Sequence, residues 1–162
     1  MPIKVLFVCL GNICRSPMCE VILKDMVEKR GLTDQFEIRS AGTSDEEVWN
    51  GIGNPVYPPA AEELRSHGLG KTPYTDFREK RAIQITAKDY GCYDYILCAD
   101  KANIRGVTRI TGPDTEGKIS LLLDHTDRPG RSIADPWYTR EFGTAYRDCL
   151  EGCEAFLKEL GY

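Results

Sequence analysis

The segment Cys9-Leu10-Gly11-Asn12-Ile13-Cys14-Arg15-Ser16-Pro17 brings together three groups that can act on an anion. Cys9 supplies a sulfur nucleophile. Arg15, six positions on, supplies a planar fork that can clamp two oxygens of a tetrahedral anion. Ser16 adds a hydroxyl beside them. A guanidinium, a helix start and a hydroxyl close to one thiol all favour thiolate over thiol. If the short loop Leu10–Cys14 curls back on itself, its backbone N–H groups converge on one centre, and the Cys9 sulfur lies beneath the central atom of the anion. Such a sulfur is an in-line nucleophile for phosphorus, and the N–H groups with Arg15 would stabilise the equatorial oxygens in the transition state. The nucleotide-binding pattern Gly-x-x-x-x-Gly-Lys-Ser/Thr is absent. A bare Cys-x5-Arg spacing arises often by accident in a chain with seven cysteines; its specificity comes from what flanks it.

Transfer to sulfur also needs an acid for the leaving oxygen and a base for the hydrolytic water. Asp135, in Ile133-Ala134-Asp135-Pro136-Trp137-Tyr138, is the best candidate, stiffened by the following Pro and flanked by two aromatics. A carboxyl facing an anion and apolar walls suits an acid. Trp137 and Tyr138 are placed to wall an entrance and stack on a ring. Cys14, five residues from Cys9, is either a small loop filler or a thiol that captures an oxidised Cys9. Cys19, Cys92, Cys98, Cys149 and Cys153 read as packing residues. Asp127 reads as a turn residue, His67 as a cation at a helix end and Glu46-Glu47 as a solvated face.

These groups need a frame. Ile3–Cys9 is a nearly continuous apolar run, the mark of a parallel strand buried on both faces. A loop follows, and Ser16-Pro17 reads as a helix N-cap and first turn. The helix continues through Met18, Val21, Ile22, Met26 and Val27 and is closed by Gly31. Phe36–Ser40 alternates as a second, more exposed strand. Residues 41–59, with three glycines and three prolines, form a long irregular loop of the kind that is usually functional. A short helix covers Pro59–His67, residues 69–81 are a polar, basic loop, and Thr86–Gly91 is a short helical stretch. A third strand spans Tyr93–Ala99, a helix Lys101–Ile110, a fourth strand Ile119–Leu123 and a final helix Glu141–Leu160. Strands and helices alternate, which predicts one α/β domain over 1–162 with a mostly parallel sheet and helices on both faces. Ligands of such sheets bind beyond the carboxyl ends of the strands, so Cys9 and the loop after the fourth strand should share one edge.

Composition narrows the classes. With 162 residues, 41% hydrophobic and 28% charged, the chain is an ordinary globular domain. No apolar stretch approaches the roughly 18 residues of a membrane span, and the opening Met-Pro-Ile-Lys has no signal-peptide character. A net charge of −4 argues against nucleic acid as partner. Seven cysteines with no Cys-x-x-Cys pair and only two histidines argue against a disulfide framework or structural zinc. The expectation is a reduced, cytoplasmic, monomeric protein that calls for no metal and no cofactor.

Val8–Pro17 closely resembles the signature of low-molecular-weight protein tyrosine phosphatases, and Ser40-Ala41-Gly42-Thr43 and Asp135-Pro136-Trp137-Tyr138 are similar to two further blocks of that family. The resemblance covers essentially the whole chain. It implies a four-stranded parallel sheet of order 2-1-3-4 with helices on both faces. It further implies Cys9 as the nucleophile forming a phosphocysteine, Arg15 as phosphate clamp, and Asp135 as general acid then base. Ser16 corresponds to the hydroxyl steadying the thiolate and Asn12 to the residue holding the loop's shape. Residues Leu10, Gly11, Asn12, Ile13 and Cys14 would bind the phosphate with Arg15. An apolar residue at Ile13 goes with phosphotyrosine, and Thr there with phosphoarginine. Trp49 is the aromatic that would join Ile13, Trp137 and Tyr138 in the substrate pocket. Where the family often has His-x-Ala-Arg, this chain reads Lys80-Arg81-Ala82-Ile83, without the His that joins the loop-bracing network. The implied partner is a phosphotyrosine-containing protein, a tyrosine kinase among them. The rivals are an arsenate reductase using Cys92 and Cys98 as relay thiols, a phosphoarginine phosphatase, and a phosphate-binding adaptor without turnover.

Overall fold

The computed structural model describes residues 1–162. Strand β1 (Ile3–Cys9) leads through the anion loop into helix α1 (Arg15–Lys29), and β2 (Phe36–Gly42) lies parallel to β1. Two short strands, β3 (Val48–Trp49) and β4 (Ile52–Gly53), then make a hairpin. Helices α2 (Pro58–Ser66) and α3 (Asp89–Cys92) precede β5 (Tyr95–Cys98), which is followed by α4 (Lys101–Thr111) and β6 (Ile119–Leu121). A single short helix, α5 (Pro136–Thr139), comes before the long closing helix α6 (Phe142–Glu159). The main sheet runs β2-β1-β5-β6, all parallel, so its four strands have the expected order 2-1-3-4.

The alternation of β1 divides the core in two. Val5, Phe7 and Cys9 face a layer built by α1, α2 and α6, including Met18, Ile22, Leu64, Cys149, Phe156 and Leu157. Leu6 and Val8 face the other way, with Ile96, Cys98 and Val107 of α4. A parallel strand covered on both sides has no polar face, which is why its sequence is an unbroken apolar run. Each fully buried Val, Leu, Ile or Phe here contributes about 1.5–3 kcal/mol of transfer free energy. The chain leaves β1 toward β2 on one side and returns to β5 on the other. The sheet's topological switch point therefore lies at the carboxyl end of β1, where Cys9 ends the strand.

Four expectations need correction. Ser16 is not the N-cap of α1: the helix begins at Arg15, Cys14 stands at the cap, and no side chain caps it. The Ser16 hydroxyl is already committed to Cys9 and Asn12. Strand β2 is more buried than its alternation suggests, because α1 covers Phe36 and Ile38 and the anion loop covers Ser40 to Gly42. The stretch 41–59 is not wholly irregular, because Asn50 and Gly51 both adopt positive φ and turn β3 back on β4. That Asn-Gly pair is the strongest short-range hairpin signal a sequence carries. Cys92 is exposed on α3 rather than packed. No helix is long and apolar enough to cross a membrane.

Candidate active site

The loop after Cys9 is held by its carbonyls. The oxygens of Cys9, Leu10 and Ile13 accept from the N–H groups of Thr43, Ser44 and Tyr57 at 2.9–3.0 Å, and that of Cys14 accepts from Met18. The N–H groups of Leu10 to Cys14, by contrast, donate to no group of the chain. With the uncapped start of α1 beside them, they form a cradle of free donors and partial positive charge. The loop needs one residue in the left-handed region, Asn12 at φ 60°, which a short polar side chain tolerates better than most. Gly42 of β2 passes so close that a Cβ there would lie 2.6 Å from the Leu10 carbonyl oxygen.

A buried hydrogen-bond chain fixes the polarity around Cys9. The side-chain oxygen of Asn12 accepts from Ile83 N–H at 3.1 Å, so its nitrogen must face the other way. That nitrogen donates to Ser16 Oγ at 2.8 Å and Ser40 Oγ at 3.0 Å. Ser40 in turn donates to Glu20 Oε1 at 2.6 Å. With Ser16 accepting from Asn12, its own proton is free to donate to Cys9 Sγ, 3.0 Å away, which stabilises the anionic sulfur. Glu20, only 7% exposed, is compensated by Lys24 at 2.9 Å. Lys80 stands where the histidine is missing and donates to the Ser40 carbonyl at 3.0 Å. Burial pulls the Lys80 ammonium below its usual range, and Glu20 opposes that shift.

Arg15 is 3% exposed and is aimed by three acceptors. Nη1 donates to Asp100 Oδ2 at 2.7 Å and to the Ile133 carbonyl at 2.8 Å, and Nη2 to Asp135 Oδ2 at 3.4 Å. Burial works against its charge, but Cys9, Asp100 and Asp135 outweigh it and hold the guanidinium above its ordinary range. Asp100 follows β5 at the same sheet edge and caps α4, with Oδ1 accepting from Asn103 N–H at 2.9 Å. Its signal in the sequence was an acid at the junction of a strand and a helix. Asp135 caps α5, with Oδ1 accepting from Trp137 N–H at 3.0 Å, and its carboxylate faces the loop from across the cleft.

The cleft, about 290 Å³, is lined by Cys9, Leu10, Gly11, Ile13, Cys14, Arg15, Asp135, Trp137 and Tyr138, with Glu46 and Glu47 on the remaining side. Trp137 leans on Tyr57, ring centres 4.8 Å apart, and Arg140 lies over the same Tyr57 ring. Trp49 is not in the wall: it is 68% exposed on β3, outside the cleft. The hairpin turns it away, and the acids just before it take that place. Glu46 and Glu47, expected to be a solvated face, are therefore cleft residues. Cys14 is buried in the same loop as Cys9; burial, then Cys9 and Asp135, push its thiol up to about 12, and both sulfurs are free. His67 stacks on Tyr146 at 3.8 Å and bonds Glu63, away from the cleft.

The description low molecular weight phosphotyrosine protein phosphatase belongs to the family model that matches residues 4–161. A protein of that name from Sus scrofa is 36% identical over 161 residues, covering 97% of this chain and 95% of its own. Among solved structures, YfkJ of Bacillus subtilis superposes with a TM-score of 0.89 at 34% identity, over 99% of this chain and 96% of its own. A Drosophila arginine phosphatase does so at 0.82 and 33%, over 99% of both chains. Matches of this extent leave no segment of the fold outside the comparison. The chain belongs to the low molecular weight phosphotyrosine protein phosphatase family.

Proposed function

We propose that this chain hydrolyses phosphotyrosine in proteins through a phosphocysteine intermediate. What supports the reading is that Cys9 lines one cleft with Arg15, Asp135 and a loop whose N–H groups donate to nothing in the chain. In the first step the Cys9 thiolate attacks phosphorus. The loop N–H groups and Arg15 take the equatorial oxygens, the P–O bond to the phenol breaks, and Asp135 gives its proton to the departing oxygen. In the second step Asp135 takes a proton from water, the hydroxide attacks phosphorus, and the S–P bond breaks to return the thiolate and phosphate. Trp137 and Tyr138 offer aromatic faces to the tyrosyl ring, and the depth of the sulfur favours long aryl phosphates over the shorter seryl and threonyl esters. All groups of the cycle come from one chain, and the thiolate must stay reduced, which fits a monomer in a reducing compartment. A tyrosine kinase bearing its own phosphotyrosines is a substrate of this class.

The test is p-nitrophenyl phosphate hydrolysis without added metal. Wild type turns the ester over and Cys9→Ser abolishes turnover; unchanged activity in Cys9→Ser would defeat the proposal. A panel of phosphotyrosine, phosphoserine and phosphoarginine peptides decides the substrate. Preference for phosphoarginine would move the reading to the alternative that the Drosophila relative's name describes, against the expectation from Ile13. Consumption of thiol driven by arsenate would move it to a reductase, and binding without turnover to an adaptor.

A further inference from the structure

The two walls of the cleft differ in character. One is aromatic, Trp137 and Tyr138; the other is acidic, Glu46 and Glu47. The acidic wall lies directly over the anion loop: a Cβ at Gly11 would be 3.1 Å from Glu47 Cγ and 3.4 Å from Glu46 Oε1. It is also held in place. Asn54, just beyond the β3–β4 hairpin, donates from its backbone to the Glu47 carbonyl and from Nδ2 to Glu47 Oε2, both at 2.8 Å. The Val48 N–H closes the turn on the Asp45 carbonyl at 2.9 Å. Each of the other carboxylates at this site has a cation: Asp100 and Asp135 both pair with Arg15. Glu46 and Glu47 pair with no Lys, Arg or His of the chain.

Two unpaired carboxylates beside the seat of a phosphate dianion repel the ligand that the loop attracts. The conflict is relieved when the substrate brings its own positive charge to that wall. Resting on the phosphatase reading above, we infer that Glu46 and Glu47 form a subsite for a lysine or arginine flanking the phosphotyrosine, so that basic phosphotyrosine segments are the substrate class. A basic flank converts the repulsion into attraction, and an acidic flank adds a third like charge. The effect is selection by charge complementarity rather than by shape. Because Glu46 is exposed and Glu47 is only half-buried, salt weakens it.

The experiment measures kcat/KM for three peptides that share one phosphotyrosine core and carry Lys, Gln or Glu at the flanking positions, in low salt and at high ionic strength. Wild type and the double variant Glu46→Gln/Glu47→Gln are compared, with p-nitrophenyl phosphate as a substrate that has no flank. Expected for wild type is the order Lys, Gln, Glu, with the Lys peptide favoured over the Glu peptide by about tenfold or more. That ratio shrinks toward one at high salt and in the double variant. Equal rates across the peptides in an enzyme that hydrolyses the aryl phosphate would overturn the subsite and leave the phosphatase reading standing. A ratio that survives in the double variant would overturn it too. A wild-type protein inert toward the aryl phosphate and all three peptides would overturn the phosphatase reading and the subsite with it.

Discussion

Substituting Asn12 separates the two ways in which that residue holds the anion loop. Its side chain makes three hydrogen bonds, to the buried hydroxyls of Ser16 and Ser40 and from the half-buried Ile83 N–H, and its backbone sits at φ 60°. Asn12→Gly removes the bonds but keeps the backbone comfortable. Asn12→Ala removes the same bonds and adds the left-handed penalty of a Cβ. At about 0.5–1.5 kcal/mol for each bond, the shared loss is about 1.5–4.5 kcal/mol. The left-handed penalty is about 1–2 kcal/mol, offset by the roughly 0.4–1 kcal/mol that glycine loses through its freer unfolded chain. Alanine should therefore be less stable than glycine by about 1 kcal/mol. Urea unfolding at equilibrium, with the slope checked for constancy, reads both quantities. Aryl phosphate turnover in the same variants reads the loop's shape; it should fall in both, because Ser16 loses the donor that directs its proton to Cys9. A glycine variant within 0.5 kcal/mol of wild type, roughly the scatter of a neutral surface change, would refute the hydrogen-bond account. Equal stability of the two variants would refute the backbone account.

Four further outcomes are expected. Asp135→Ala should lower kcat by about 10²–10⁴, with a smaller loss for esters of acidic phenols that leave without a proton; a leaving-group series checks this. Arg15→Lys should cost about 10²–10³ in kcat/KM for the aryl phosphate, because an ammonium cannot present two parallel donors while also bonding Asp100 and Ile133. Gly42→Ala should lower both stability and turnover, by about 1–3 kcal/mol in unfolding free energy, since its Cβ meets the Leu10 carbonyl at 2.6 Å and the loop must move. Cys14 predicts the alkaline limb of stability. Its thiol is raised in the folded state from 9.0 to about 12, so the stability it contributes is complete below pH 9 and is lost as pH rises toward 12. The urea midpoint should decline above pH 9 in wild type and decline less in Cys14→Ser.

The hairpin at β3–β4 shows how a local signal can be missed and then matter. Asn50-Gly51 is a hairpin turn in the sequence itself, but the strands it joins are two residues each, too short to show alternation. The resemblance to the family put Trp49 in the pocket, and the charges of Glu46-Glu47 read as a solvated face. Folding the hairpin carries Trp49 outward and lays both acids over Gly11 in the cleft wall, with Glu46 still exposed. Lys80 is a similar case. Its neighbours in sequence are basic and look solvated, and only the packing of 80–83 against the end of β2 places it on the Ser40 carbonyl.

Residue order alone marked Cys9, Arg15 and Asp135 as the candidate nucleophile, clamp and acid and predicted a mostly parallel sheet, while the order of its strands came only with the resemblance to the family. The local patterns are an apolar run buried on both faces, a helix start after a short loop, and an acid held before proline. Tertiary structure alone decided which groups serve those residues. Asp100 lies 85 positions from Arg15, Ser40 28 from Asn12, and Glu20 and Lys80 20 and 40 from Ser40, the residues they bond. Hydrogen bonds act over about 3 Å whatever the distance along the chain. Partners brought together by sheet pairing and helix packing therefore leave no spacing to read, and their roles exist only once the chain has closed around the loop.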